Sequence, residues 1–294
     1  TQAHAHCDCP PSRDHCPRRQ ACPLQLATDS GLSVRWVESG TTRACPIVYL
    51  PHHASTPSLG LNLPASNCAS GYQTKHESIA VQGVPNLRIR SLLDKQQFFD
   101  PEGAALALGI SSAFWSLFGL LWPSGSKLAE RLATRPVSAQ ERILELGCGL
   151  ALASLVGHRR GANMTASDCH PLAGEFLKEN LRLNNLGPMS YQHGQWGEHA
   201  AQLQDPIVNS KFDLIIGSDI LYERDERGDL AHYINEHIED HAEVWVVDPN
   251  RGNRSHFHRN MAAQGFALSE ETLLMSATET EAAYKGRMLT YLRD

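Results

Sequence analysis

The chain has 294 residues, 41% of them hydrophobic, and a formal net charge of -6. That length admits one large domain or two small ones, and the composition suits a chain that buries a core. An acidic balance argues against a phosphate-binding surface for DNA or RNA, and it suits a cationic partner better.

The charge is unevenly spread. Residues 1–71 carry a formal +1 and contain no lysine and no methionine, which leaves -7 on the remainder. Prolines at 10, 11, 17, 23, 46, 51, 57 and 64 break this first stretch, and no helical or strand period survives in it for long. It reads as a disordered extension. Six cysteines (Cys7, Cys9, Cys16, Cys22, Cys45 and Cys68) lie here, with His4, His6 and His15 close to the first of them. Their spacing is not the paired two-residue gap of a zinc finger or ribbon, so no metal is expected. The two later cysteines, Cys148 and Cys169, read as buried thiols in a reducing compartment, the cytoplasm.

From residue 72 the pattern changes to a folded domain running to 294, with a lead-in over 72–135 and a core over 142–294. Alternating runs at Glu77–Val81 and Leu87–Leu92 flank Gly83-Val84-Pro85-Asn86, the signature of a hairpin. Lys95–Phe99, Pro101–Leu108 and Ser124–Leu132 are expected to be helical. Gly103–Ser126 carries no charge. A spanning helix needs about 20 predominantly apolar residues. Serines, glycines and Pro123 interrupt this run, so it reads as a buried helix leading into a loop, and no membrane association is expected.

A strand–helix rhythm follows. Strands are expected at Arg142–Leu146, Asn163–Ala166, Ser190–His193, Phe212–Gly217 and Glu243–Val247. Helices are expected at Leu150–Arg159, Pro171–Asn184, Gly228–His237 and Arg254–Gln264. Two successive strands, Phe266–Leu274 and Arg287–Leu292, close the chain. Such alternation implies an α/β fold, a Rossmann-like, seven-stranded, mostly parallel sheet with helices on both faces and an antiparallel C-terminal hairpin.

The stretch Arg142–Ala153 carries the first chemistry. A short apolar run reaches Glu145, then Gly147 and Gly149, then a helix-like pattern. Glycines here let a nucleotide-type ligand lie against bare backbone at a helix N-terminus. Asp168 ends the next strand twenty-three residues after Glu145, where an acidic group can bond ribose hydroxyls or cap the following helix. A nicotinamide site wants a third glycine where Leu152 stands. Glu145 before the turn suits instead a sulfonium methyl donor, whose amino-acid ammonium needs a carboxylate. In the third element, Phe212 to Tyr222, Ser218 and Asp219 end a buried strand beside the reacting centre.

With that third element the chain resembles a seven-strand S-adenosylmethionine-dependent methyltransferase of methyltransferase family 16, which contains protein-lysine methyltransferases. The family's Asp/Glu-x-x-Tyr pattern is matched by Asp219-Ile220-Leu221-Tyr222. Its tryptophan before the first sheet strand is matched by Trp122, and its Trp-Gly near the adenine by Trp196-Gly197. Asp248-Pro249-Asn250-Arg251 resembles its Asp-Pro-x-Arg element. The resemblance implies Asp219 and Tyr222 as the catalytic pair. It implies S-adenosylmethionine as cofactor, held by Glu145, Gly147, Gly149 and Asp168 together with Trp122, Trp196 and Ser218. The acceptor it implies is a protein presenting a lysine to a monomeric enzyme, with no nucleic acid. Two departures stand out: Ala151 replaces a glycine often found in the turn, and Gln195 stands where an acidic residue often precedes the tryptophan. Other readings are transfer to a small-molecule or nucleobase amine and a non-catalytic donor-binding module. Nucleobase amino-methylases put two prolines where Ile220 and Leu221 stand.

Overall fold

The computed structural model describes residues 71–197, 200, 204–277 and 282–294. Apart from Gly71, the extension expected over 1–71 lies outside them, with its six cysteines. The first described element is a hairpin of β1 (Thr74–Val81) and β2 (Val84–Leu92). On β2, Leu87 and Ile89 are fully buried, while Arg88 and Arg90 alternate with them. The hairpin docks on helix α4, Ala173–Leu183, through two asparagines. Asn180 Oδ1 accepts the Arg90 N–H (2.7 Å) and Asn184 Oδ1 the Arg88 N–H (2.9 Å), and both side-chain amides donate back to the same residues' carbonyls. Two residues of strand and four of helix both rise by about 6 to 7 Å, so one helix face can act as a strand edge.

Two expected helices differ from expectation. Lys95–Phe99 is not helical: the Asp94 carboxylate accepts the Gln96 N–H (2.9 Å) and the Gln97 side-chain amide (3.2 Å) in a local turn that goes no further. Short acidic side chains compete with helix in this way. Pro101–Leu108 shrinks to α1, Ala104–Ala107, between Gly103 and Gly109, both at positive φ. A short 3-10 turn follows at Trp115–Gly119, then α2, Pro123–Thr134, which starts on the proline as a first-turn proline should.

The core alternates β3 (Arg142–Leu146), α3 (Leu152–Arg159), β4 (Asn163–Asp168), α4, β5 (Ser190–His193), β6 (Phe212–Ser218), α5 (Asp229–His237), β7 (Ile238–Asp248), α6 (Arg254–Ala263), β8 (Ala267–Met275) and β9 (Tyr284–Arg293). The strand order is β5-β4-β3-β6-β7-β9-β8. The first five of these strands are parallel, and β9 pairs antiparallel with both β7 and β8. The terminal hairpin is therefore present, with its later strand inserted next to β7 and its earlier one at the edge. Strand β7 starts earlier than expected, directly after α5. Ile238 pairs with Phe212 before the register shifts to Leu214 with Glu243.

Sheet residues alternate between two cores. Ile143, Leu214, Ile216 and Val247 pack with α2, α3 and α4. Leu144, Leu146, Ile215 and Val246 pack with α5 and α6. Each fully buried Leu or Ile contributes roughly 1.5–3 kcal/mol, so this two-sided run fixes strands rather than helices. Among the described residues no helix is long and apolar enough to cross a membrane.

Candidate active site

Strand order reverses between β3 and β6: from β3 the chain steps to β4 and β5 on one side, then returns to β6 on the other. The crevice outside the carboxyl ends at such a point is where open α/β sheets take ligands. A cavity of about 440 Å³ lies there, within the roughly 300–1,000 Å³ usual for small-ligand sites. All nine residues expected to form the site line it: Glu145, Gly147, Gly149, Asp168, Trp122 and Trp196, with Ser218, Asp219 and Tyr222.

The glycine turn explains its own sequence. Gly147, Gly149 and Ala151 stand at φ of 57°, 51° and 58°. A Cβ on Gly149 would sit 2.8 Å from the Phe118 carbonyl oxygen, and one on Gly147 2.9 Å from Ile220 Cγ2. Both glycines are therefore needed for conformation and for room. Ala151 adopts the same left-handed region with a side chain, at a cost of roughly 1–2 kcal/mol, and serves as the N-cap of α3.

Glu145, one residue before the end of β3, and Asp168, the last of β4, lie on adjacent strands and are both buried. Glu145 Oε2 accepts from the Ser154 N–H (2.8 Å) and hydroxyl (2.5 Å) of α3. Burial pushes the Glu145 carboxyl up to about 7, against the pull of the Ser154 bonds. Asp168 Oδ2 accepts the Gly149 N–H and Oδ1 the His170 N–H, each at 2.8 Å. Asp168 therefore ties β4 to the glycine turn, and burial raises its carboxyl above the ordinary value. Asp168 keeps a lone pair on Oδ2 for a ligand, and Glu145, whose Oε2 takes both Ser154 bonds, keeps Oε1.

Trp122 donates its indole N–H to the Leu117 carbonyl (2.9 Å), which sets the ring at the cavity wall. Gln195 Nε2 donates to the Leu108 carbonyl (2.9 Å), while its buried Oε1 has no partner among the described residues. The uncharged run 103–126 supplies Leu108, Ile110, Phe114, Phe118 and Leu121 to the wall. Its freedom from charge suits a cavity lining, and the buried helix expected there is reduced to α1 and the 3-10 turn. His170, which the sequence did not single out, stacks on Phe118 (3.6 Å between centroids). Its Nδ1 accepts the Leu172 N–H (3.1 Å), and burial lowers its pKa to about 3, which keeps the ring neutral.

Asp219 follows β6 at φ 57°, with its N–H bonded to the Val247 carbonyl (2.9 Å). Its carboxylate meets Arg251 as a fork: Nε to Oδ1 at 2.5 Å and Nη2 to Oδ2 at 2.9 Å. Arg251 thus has a specific carboxylate at the cavity rather than an incidental surface partner. The turn that carries it is held by Asp248, whose Oδ2 accepts the Asn250 N–H (2.9 Å). Asn253 Nδ2 donates to the Leu221 carbonyl (2.9 Å), tying the loop after β6 to the loop after β7. Tyr222 is half exposed at the mouth, 6.2 Å from the ring of Phe114. Loss of hydration raises its phenol, with Cys169, Glu223, Asp168 and Asp219 adding to the shift. Among the described residues no group of His, Cys, Asp and Glu could hold a metal ion.

A seven-stranded sheet with an antiparallel inserted last strand, a glycine turn after its first central strand and carboxylates at the ends of β3, β4 and β6 defines a Rossmann-like methyltransferase. The chain belongs to the lysine methyltransferase family, whose sequence model matches residues 113–264. It is similar to the electron transfer flavoprotein beta subunit lysine methyltransferase of Xenopus laevis, 26% identical over 71% of this chain and 82% of that one. The Mus musculus protein of the same name is 28% identical over 65% of this chain and 70% of its own length. A histone-arginine methyltransferase of Xenopus laevis, METTL23, is 30% identical over 43% of this chain and 55% of its own.

Proposed function

We propose that the cavity binds S-adenosylmethionine and presents its methyl group to a protein lysine entering between Asp219 and Tyr222, within a catalytic domain spanning 72–294. The observation that carries this reading is the convergence of the glycine turn, Glu145, Asp168 and Asp219 on one crevice of ligand size. The residues fit the donor in three respects. A bare glycine backbone runs under the cavity where a Cβ would collide. Gln195 Oε1 is a buried acceptor in want of a donor such as an exocyclic amine. Glu145 is a carboxyl on the wall, suited to an amino-acid ammonium.

When bound, S-adenosylmethionine supplies a methyl on a positively charged sulfur, which an amine that has already given up its proton takes while the bonding pair stays on sulfur. Asp219 binds and orients the incoming amine. Tyr222 and Phe114 flank the acceptor's aliphatic chain and keep water away from it. A phenol raised above its ordinary value is a poor base near neutrality, so the amine's proton goes to solvent.

Glu145 makes donor binding pH-dependent. In the free protein its carboxyl is held neutral below about 7, and an ammonium beside it favours the ionised form. Below that value binding releases a proton, so affinity falls as pH falls, by up to about tenfold per unit, and levels off above it. Glu145→Gln should flatten this dependence and weaken binding at pH 8. Calorimetry in two buffers of different ionisation enthalpy, at pH 6 and pH 8, measures the proton release directly. An affinity that does not change between the two would reject the assignment.

The function itself is tested by tritium transfer from labelled S-adenosylmethionine into a dialysed protein extract. Label in protease-sensitive, nuclease-resistant bands and methyl-lysine on mass spectrometry are expected. Methyl-arginine, label in nucleic acid or small molecules, or no label at all would overturn the lysine reading.

A further inference from the structure

The fork between Arg251 and Asp219 bears on a conflict within the acceptor site. A lysine amine arrives protonated, with a reference pKa of about 10.4. An isolated carboxylate would hold it in that form, because a neighbouring anion stabilises the ammonium. Yet only the neutral amine can attack. The same carboxylate that positions the acceptor would therefore oppose the reaction.

We infer that Arg251 is a positioning residue that fixes the Asp219 carboxylate and offsets its charge, so that the bound lysine is oriented without being held protonated. This rests on the reading of Asp219 as the acceptor-binding group. Both Arg251 and Asp219 line the donor cavity. The fork occupies one lone pair on each oxygen of Asp219, which leaves the other pair on each free to accept from an amine. The arginine is delivered to this place by construction. Its turn carries Asn250 at φ 63°, with the Asn250 N–H on Asp248 and the Asn250 side chain on the Lys285 carbonyl (3.3 Å). Asp219 is also set by its backbone, through the Val247 bond and its left-handed φ.

The other charged and titratable groups around the pair do not supply this offset. Asp248 of β7 is pinned by Arg254 (3.4 Å). Tyr284 of β9 bonds Ser124 (3.0 Å). Tyr222, Glu223, Asp168 and Cys169 face the same region, and none of them is a cation. Glu145 sits across the cavity on Ser154. Arg251 is thus the cation in direct contact with the acceptor carboxylate. An arginine keeps its charge at every working pH, which a histidine would not.

The test is the pH profile of single-turnover tritium transfer at saturating acceptor, which reports the bound lysine, between pH 6.5 and 10, for wild type, Arg251→Gln and Arg251→Lys. Loss of the cation should move the acidic limb of the Arg251→Gln profile upward by about one unit. Transfer then falls about tenfold at pH 7.5 and recovers near pH 10. Arg251→Lys keeps the charge and should keep the wild-type midpoint, with a lower plateau because lysine lacks the fork. Calorimetric affinity for S-adenosylhomocysteine should agree within about twofold across the three proteins, which places the effect on the acceptor.

An unmoved limb in Arg251→Gln, an equal loss at every pH, or a changed affinity for S-adenosylhomocysteine would each overturn the inference. Asp219→Asn separates it from the reading beneath it. Wild-type transfer in Asp219→Asn would remove the acceptor assignment and this inference with it. An inactive Asp219→Asn beside an unmoved limb in Arg251→Gln would remove the inference alone.

Discussion

Replacing Asp219 by alanine should cut methyl transfer by at least about 10²-fold while donor affinity stays within about twofold of wild type. The expectation follows from where the carboxylate sits. It lies at the end of β6 and lines the donor cavity, but the backbone that touches the glycine turn belongs to other residues. Its loss removes the group that fixes the amine and leaves the donor wall intact. Arg251 is left without its partner but is partly exposed and can turn to water. Alanine also strains a left-handed residue that aspartate tolerates better. Asp219→Asn controls for this, because asparagine accepts the same φ and lacks the charge. Single-turnover transfer with calorimetry of S-adenosylmethionine on both variants is the measurement. Full turnover in either would remove Asp219 from the acceptor site.

Gly149→Ala should abolish donor binding within the range calorimetry reads and lower the melting temperature. Two independent costs meet at this residue. Its φ of 51° costs an alanine roughly 1–2 kcal/mol. The new Cβ would stand 2.8 Å from the Phe118 carbonyl oxygen, a backbone atom that cannot swing aside as a side-chain tip can. The Gly149 N–H also holds Asp168 Oδ2, so a displaced turn releases the second carboxylate of the site. About 2 kcal/mol corresponds to roughly 4–8 °C for a domain of this size. Ala151→Gly on the same turn is the contrasting case. It relieves a left-handed alanine and should leave binding within about threefold of wild type. Unchanged donor affinity in Gly149→Ala would mean that the ligand does not lie along this turn.

The alternating core was legible because its central strands β3, β4 and β6 are buried on both faces. Arg142–Leu146 falls where its apolar run puts it, and the order of strand and helix is that of the sequence. The convergence of Glu145, Asp168 and Asp219 on one cavity was legible for the same reason, since they lie at or beside the ends of those strands. What escaped lies where local side chains override period. The bonds of Asp94 to Gln96 and Gln97 close a local turn that no helix continues at Lys95–Phe99. The uncharged run 103–126 is apolar because it walls a cavity, and one-dimensional hydropathy does not distinguish a lining from a packed helix. The fork between Asp219 and Arg251 joins residues thirty-two apart through two separate loops. No spacing rule announces that contact, although both partners stood in motifs that the sequence displayed.

Titration of S-adenosylmethionine into the purified protein at pH 8 decides whether the crevice at the strand-order reversal grips that compound. A single saturable site is expected, weakened by Glu145→Gln and lost in Gly149→Ala. Absence of binding heat from the wild-type protein, or the same heat from Gly149→Ala, would contradict it.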